Sequence, residues 1–328
     1  MKIIAMVNGG FGMPTLRALK ESDNQIIAVF AMPLRTKEKG RGAGAPPIRR
    51  AMEDFLVGTP FFDPENVNAP ENVEAIRSLN ADLIFICDYG KILSKDLLGA
   101  TKYGGLNLHG SLLPKYRGAA PINRAVQNGE KELGVSVIFI EPTVDSGPIV
   151  AVDSYFPTLD ETAVEIEERL ARLGAPLVLK AIEQIERGSI APLVQNHAEA
   201  SLAPKLKKEE GRIDWSKSSD AIVDQYRAFQ SWPRTYSDRF KRDEQEGVGA
   251  RLILGPFSKF DDSGAVPKFD DAEDAKPGVI VTVSKNAFWI KTGDGFLRPL
   301  CVQPSGKKNM PTEAFLRGCR LQVGDELR

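Results

Sequence analysis

The feature that most constrains the fold is a series of short apolar runs, separated by longer segments of mixed polarity. The apolar runs cover residues 2–7, 25–31, 81–87, 106–109 and 135–140. Runs of this length that end in turn-forming residues predict buried β-strands. The segment after the first run has helical spacing and carries Pro14 at a first-turn position, where proline is tolerated. We therefore predict an α/β fold with a doubly wound, mostly parallel, Rossmann-like sheet.

A change in the hydrophobic pattern after residue 188 predicts a second, smaller domain. Residues 159–185 form one long amphipathic pattern, which we expect to end as a helix at Gly188. Short strand-like runs at residues 251–254, 278–283, 287–292 and 296–302 then alternate with glycine turns. Such a pattern predicts a small C-terminal β-barrel, with an OB-like barrel as a candidate. The predicted organisation is a domain at 1–188, a polar linker at 189–211 and a domain at 212–328.

Composition narrows the class of protein. The chain has 42% hydrophobic residues, 27% charged residues and a formal net charge of -1, which excludes a uniformly basic surface. Cys87, Cys301 and Cys319 follow no metal-ligand spacing, which predicts reduced thiols and no metal. No apolar run approaches the roughly 20 residues that cross a bilayer. We expect a cytoplasmic monomer with no membrane contact.

A glycine-rich turn at residues 8–12 follows the first predicted strand. Gly9, Gly10 and Gly12 favour either a dinucleotide-binding turn or a plain tight turn. The third glycine or alanine of the dinucleotide fingerprint is missing, which favours the tight turn.

A basic loop follows the second predicted strand. Residues 33–50 carry six cationic side chains against the single acidic Glu38, and they are rich in glycine and proline. The loop is either a solvated surface segment or a contact for the phosphates of a nucleic acid, to which a flexible basic loop can fold.

Polar side chains that suit catalysis gather around two predicted strands. Asn107 and His109 point to the same face because side chains alternate along a strand, and Asp145 lies in a turn after the next strand. Since chemistry collects at the carboxyl ends of strands in an open α/β sheet, we expect these three side chains to meet there. Ser111 lacks the context of a nucleophile. An amide, an imidazole and a carboxylate suit acyl transfer to nitrogen; the alternative is a core histidine and a turn-forming aspartate.

Several motifs resemble one enzyme family. Residues 107–122, together with Asp145, Ser146 and Gly147, resemble the signature of the formyltransferases that use 10-formyltetrahydrofolate. Residues 205–215, 226–229, 232–233, 293–295 and 303–310 resemble the linker and C-terminal domain of the methionyl-tRNA formyltransferases. The resemblance covers nearly the whole chain.

The resemblance implies a reaction, its site and its partners. The methionyl α-amine of initiator methionyl-tRNA would attack the formyl group of 10-formyltetrahydrofolate. The family's catalytic positions fall on Asn107, His109 and Asp145. Its folate-binding positions fall on Ser111, Leu112, Leu113, Pro114, Tyr89, Gly90 and Ile92. Its loop against the tRNA acceptor stem falls on the basic loop, with Arg41, Lys39 and Arg35 as the expected contacts, and the C-terminal domain is expected to bind tRNA.

Two departures and two alternatives accompany the resemblance. The turn at residues 8–12 lacks the family's Gly-Thr-Pro, and Ala43, Gly44 and Ala45 replace the lysines and leucine that commonly follow in the basic loop. A sugar N-formyltransferase shares nearly the same run from His109 to Gly118. A folate- or RNA-binding protein without catalysis is the other alternative, although such a protein would not need the intact trio.

Overall fold

The computed structural model describes residues 1–33, 47–240, 249–265, 269 and 272–328. The predicted tRNA contacts Arg35, Lys39 and Arg41 therefore lie outside the described residues. The chain divides into two compact units. Unit 1 comprises Met1–Ile122, Lys131–Thr158 and Glu165–Lys205, and unit 2 comprises Asn123–Glu130, Leu159–Val164 and Leu206–Arg328. The predicted domain limits stay a prediction, and residues 189–205 of the predicted linker belong to unit 1.

Unit 1 is built on a seven-stranded sheet with the order β3-β2-β1-β4-β5-β7-β8. Its strands are β1 (Lys2–Val7), β2 (Gln25–Phe30), β3 (Phe61–Phe62), β4 (Leu83–Cys87), β5 (Gly105–His109), β7 (Leu133–Phe139) and β8 (Ile149–Tyr155). The pairs among β1 to β5 are parallel, whereas β7 runs antiparallel to both β5 and β8. The predicted α/β class with a mostly parallel sheet is confirmed. The short strands β6 (Arg117–Gly118) and β9 (Leu202–Ala203) form a separate parallel pair.

Helices follow the strands in the predicted alternation. They are α1 (Met13–Glu21), α2 (Pro47–Phe55), α3 (Pro70–Ser78), α4 (Lys95–Leu98), α5 (Pro121–Gln127) and α6 (Ala163–Glu186). Pro14 lies in the first turn of α1, as predicted. Ile4 and Met6 of β1 pack on one face of the sheet with Ile76 of α3. Helix α6 approaches β5 closely: a Cβ at Gly174 would lie 2.6 Å from Leu108, so glycine permits the contact.

Unit 2 contains two antiparallel sheets and the helices α7 (Ser219–Phe229) and α8 (Thr312–Gly318). One sheet has the order β17-β16-β11-β10-β18 and the other β12-β15-β14-β13. The strands are β10 (Tyr236–Phe240), β11 (Ala250–Leu254), β12 (Phe257–Ser258), β13 (Ile280–Val283), β14 (Phe288–Lys291), β15 (Phe296–Pro299), β16 (Cys301–Pro304), β17 (Met310–Pro311) and β18 (Glu326–Leu327). Both sheets contribute to one core around Trp215 and Phe288.

One predicted strand of unit 2 is two strands in the structure. The run at residues 296–302 was expected to be continuous, which is wrong. Pro299 pairs with Phe257 in one sheet, whereas Cys301 pairs with Pro311 in the other. Leu300 joins them and donates its N–H to the Pro256 carbonyl at 2.7 Å. A continuous apolar run does not reveal that its two halves belong to different sheets.

None of the helices in the described ranges combines the length and the apolar character that crossing a bilayer requires.

Candidate active site

The side chains of Asn107, His109 and Asp145 lie together on unit 1. Asn107 and His109 are two residues apart on β5, so both point to one face. Asn107 Nδ2 donates to Oδ1 of Asp145 at 3.2 Å, and Nδ1 of His109 lies 3.6 Å from Oδ2 of Asp145. Within the described parts of the chain, no group of three or more His, Cys, Asp and Glu could hold a metal ion.

The route by which Asp145 reaches β5 differs from the predicted one. The shared carboxyl edge was wrong because β7 is antiparallel to β5: Phe139 pairs with Leu106, and Ser136 pairs with His109. The chain between β7 and β8 instead folds back and returns Asp145 to Asn107. Gly147 permits this return, since a Cβ there would collide with the carbonyl oxygen of Phe139.

A backbone amide fixes the carboxylate of Asp145. Gly118 N donates to Oδ2 at 2.8 Å. Gly118 has a φ of 122°, and a Cβ there would lie 2.8 Å from the carbonyl oxygen of Ala203 on β9. Only glycine suits this position, because an L-residue would be strained and would also separate β6 from β9. Gly118 of the signature run therefore binds the Asp145 carboxylate directly through its backbone N–H.

His109 is held so that one ring nitrogen remains for chemistry. The residue is 6% exposed, and Nε2 lies 2.9 Å from the carbonyl oxygen of Tyr116. A carbonyl only accepts, so Nε2 carries a proton and donates it. In a neutral ring Nδ1 then has no proton and faces Asp145. A proton taken by Nδ1 is stabilised by the carboxylate beside it.

Asp88 places another carboxylate within electrostatic reach of His109. It follows β4 with a positive φ of 53°. Burial raises the pKa of the Asp88 carboxyl, and the charge of His109 lowers it in part. A Cβ at Gly9 would collide with Oδ2 of Asp88, so the glycine at this position makes room for the carboxylate. The sequence offered one signal for Asp88, an acidic residue at a strand exit.

The predicted folate segment is anchored from β7. Ser136 is fully buried, and its hydroxyl donates to the Ser111 carbonyl at 2.8 Å and accepts from Leu113 N at 3.0 Å. The Ser111 hydroxyl donates to the Lys115 carbonyl at 2.7 Å. The segment Ser111, Leu112, Leu113 and Pro114 is thus fixed at several points beside His109.

The other predicted folate residues occupy different environments. Tyr89 is 2% exposed and packs in the core of unit 1, and this burial raises its pKa to about 12. Gly90 has a φ of 74°, and Ile92 is 58% exposed. Tyr89 therefore supports the loop after β4, whereas Ile92 presents an apolar side chain to solvent. Their contact with folate stays a prediction.

Two polar residues near Asp145 were missed in the sequence. Gln195 donates to the backbone of the loop that carries Asp145, and Arg117 binds Gln195. Arg117 lies in the signature run, where the residue types that suit catalysis, Asn107 and His109, were predicted instead. Gln195 lies in the polar stretch predicted as a linker, where no periodicity or motif marks it.

Two protein-family models together match most of the chain. Residues 1–182 match the model described as formyl transferase, and residues 205–320 match the model of the formyl transferase C-terminal domain.

Two relatives share more than a third of their sequence with this chain. The methionyl-tRNA formyltransferase of Citrifermentans bemidjiense is 36% identical over 324 residues, which cover 99% of this chain and 95% of the relative. The methionyl-tRNA formyltransferase of Geobacter metallireducens is 35% identical and covers 100% of this chain and 98% of the relative.

Solved structures with lower identity share the fold. An N-formyltransferase from Helicobacter canadensis, solved with folinic acid and dTDP-3-aminofucose, has a TM-score of 0.61 at 17% identity, over 92% of this chain and 98% of that one. HypX from Aquifex aeolicus, solved with tetrahydrofolic acid, has a TM-score of 0.59 at 18% identity over 96% of this chain. The match covers 47% of HypX, so this chain spans about half the length of that protein.

Proposed function

The chain belongs to the formyl transferase family, and on that premise we propose that it transfers the formyl group of 10-formyltetrahydrofolate to the α-amine of initiator methionyl-tRNA. The product, formylmethionyl-tRNA, serves translation initiation. The observation that carries this proposal is the similarity to methionyl-tRNA formyltransferases across both units, at 36% identity over 99% of the chain. The N-formyltransferase from Helicobacter canadensis that was solved with dTDP-3-aminofucose is 17% identical to this chain. This similarity supports a shared fold but gives no support for a shared acceptor.

The proposed chemistry assigns a separate task to each member of the trio. Asn107 directs an amide hydrogen to the formyl oxygen as negative charge develops there. His109 takes a proton from the attacking amine at Nδ1, because its Nε2 already donates to Tyr116. Asp145 lies beside Nδ1 and stabilises the imidazolium.

Bonds and protons balance without a covalent enzyme intermediate. The bond from the methionyl nitrogen to the formyl carbon forms, and the bond from that carbon to N10 of the folate breaks. The electron pair of the broken bond stays on N10. The proton that His109 receives from the amine passes to N10, so the enzyme returns to its starting state.

The donor site is proposed on the segment anchored by Ser136 and on the loop after β4. Ser111, Leu112, Leu113 and Pro114 would hold the folate beside His109, and Tyr89, Gly90 and Ile92 would border its pterin ring. The exposed apolar side chain of Ile92 suits contact with a flat ring. A 10-formyl group held there would present its carbonyl to Asn107.

The acceptor is proposed to bind through the basic loop and the C-terminal domain. Arg35, Lys39 and Arg41 would neutralise phosphates of the acceptor stem, so that binding weakens as salt rises. We assign residues 1–188 to catalysis and 212–328 to tRNA binding, in a cytoplasmic monomer.

The test compares acceptors with the purified full-length protein. Formyl transfer from 10-formyltetrahydrofolate is measured with charged initiator methionyl-tRNA and with a panel of amino-sugar nucleotides. Transfer to the tRNA alone is expected. Transfer only to a sugar would keep the trio and overturn the acceptor, and folate binding with no transfer to any acceptor would favour the binding-protein alternative.

A further inference from the structure

We propose that Gln195 is a positioning residue that holds Asp145 in place for formyl transfer, with Arg117 fixing the orientation of the Gln195 amide. This inference rests on the proposed function. It gives a role in the reaction to a residue that makes no direct contact with the Asp145 carboxylate.

Gln195 bonds to two carbonyls of the loop between β7 and β8. The residue is 4% exposed. Its Nε2 donates to the carbonyl of Asp145 at 2.9 Å and to the carbonyl of Gly147 at 2.7 Å. An amide nitrogen has two hydrogens, so both are used on this loop. The carbonyls on either side of Ser146 are thereby held by one buried side chain.

Arg117 makes the orientation of that amide unambiguous. Its Nε and Nη2 donate to Oε1 of Gln195 at 3.2 Å and 2.6 Å. Arg117 is itself buried, and Nη2 also contacts Nδ1 of His197 at 3.0 Å. Rotating the amide by half a turn would place an NH₂ group against the guanidinium and an oxygen against two carbonyls. The Gln195 donors therefore face the Asp145 loop.

The backbone of Asp145 needs such a hold. Its φ is 49°, a left-handed conformation that is costly for a residue with a side chain and persists only when its surroundings fix it. On one side of Asp145, Val144 is 48% exposed and its side chain packs little. On the other side, Ser146 is buried, and its hydroxyl donates to the Thr143 carbonyl of the same turn at 3.1 Å. Gly118 N holds the carboxylate from one side, and Gln195 holds the main chain from the other. Losing the second contact frees the turn, and the carboxylate moves with it.

The test uses an isosteric substitution and a matched control. Gln195→Glu keeps the size of the side chain and its attraction to Arg117, but it replaces the NH₂ group and its two N–H donors by one carboxylate oxygen, which faces two carbonyls and can only accept. Gln225 of unit 2 provides the control, because its Nε2 likewise donates to two carbonyls, those of Glu210 at 2.7 Å and Arg212 at 3.0 Å. Gln225→Glu therefore imposes the same chemical change outside the proposed catalytic site.

The kinetic arm separates positioning from general damage. We expect kcat for methionyl-tRNA formylation to fall about 10²-fold in Gln195→Glu, the cost of misplacing a catalytic group by about 1 Å. The KM for folate should stay within about threefold of the parental value. In an Asp145→Asn background, Gln195→Glu should add little, since it acts through Asp145. Losses that multiply in the double variant, or an unchanged kcat, would overturn the proposal.

The crystallographic arm does not depend on the acceptor. In Gln195→Glu we expect the Asp145 carboxylate to lose its bonds to Asn107 and Gly118, whereas Gln225→Glu should retain them. A carboxylate that keeps both bonds in Gln195→Glu overturns the positioning role. A parent protein that fails to formylate methionyl-tRNA would instead contradict the proposed function alone.

Discussion

Replacing Ser136 by alanine tests how the predicted folate segment is held. The hydroxyl of Ser136 is fully buried and serves two backbone groups, the carbonyl of Ser111 and the N–H of Leu113. Ser136→Ala leaves both groups buried without this partner. Each unpaired group costs about 1–3 kcal/mol, so we expect a loss of at least about 2 kcal/mol in the free energy of unfolding. That corresponds to a decrease in Tm of roughly 4–8 °C.

A second buried serine separates stability from binding. Ser237 of unit 2 is also fully buried; it accepts from Trp215 Nε1 at 3.1 Å and donates to the carbonyl of Arg328 at 2.9 Å. Ser237→Ala should therefore lower Tm by a similar amount. Folate affinity, measured by calorimetric titration with 5-formyltetrahydrofolate, should fall about tenfold in Ser136→Ala alone, which equals about 1.4 kcal/mol. Equal affinities in the two variants would refute the anchoring role of Ser136.

Three further outcomes follow from the loop, the glycines and the charges. Arg41→Ala should raise the KM for tRNA at low salt with a difference that shrinks as salt increases; unchanged kinetics at low salt would return the basic loop to a solvated surface. Gly118→Ala should destabilise the protein by about 2 kcal/mol in urea unfolding, because φ is 122° and the new Cβ would lie 2.8 Å from a carbonyl oxygen; wild-type stability would contradict this. Hydrogen bonds from Arg124 lower the pKa of the Glu210 carboxyl in the folded protein. Their contribution to the free energy of unfolding is therefore present above the pKa that Glu210 has in the unfolded chain, and it is lost as pH falls through the folded-state pKa. Unfolding free energy should therefore decrease less steeply in Glu210→Gln than in the parent between about pH 5 and pH 3, and identical slopes would count against the pair.

The local hydrophobic pattern of the sequence predicts where the β-strands lie better than it predicts their directions. Strands such as β1 and β4 were read from apolar runs, because burial in a parallel sheet leaves a continuous hydrophobic stretch. The same pattern does not encode strand direction, so it does not distinguish the antiparallel β7 from a parallel strand. The strand β8 was missed because it lies at the edge of the sheet, where half-exposed residues interrupt the apolar run.

In the candidate site, too, the sequence predicts the local features but not the tertiary contacts. Asn107 and His109 share a face because of two-residue alternation, which is a local property. The position of Asp145 depends on tertiary contacts: Gly147 lies against the backbone of Phe139, and Gly118 lies between Asp145 and the distant strand β9. Gln195 lies 50 residues from the carbonyl that it holds, in a segment with no periodicity. Contacts of this kind follow from the tertiary fold, which is why the sequence alone left Gln195 unmarked.

Single-turnover formyl transfer by Asp145→Asn tests the central claim most directly. The substitution keeps the size of the side chain and removes its charge, so the imidazolium of His109 loses its partner. Asp153→Asn, a change of an exposed carboxylate on β8, is the matched control. With folate bound at saturation and initiator methionyl-tRNA as acceptor, the rate in Asp145→Asn should fall by about 10² to 10³, while folate affinity and the control remain at the parental values. A rate within about tenfold of the parent, with folate saturated, would contradict the assignment of Asp145 to catalysis.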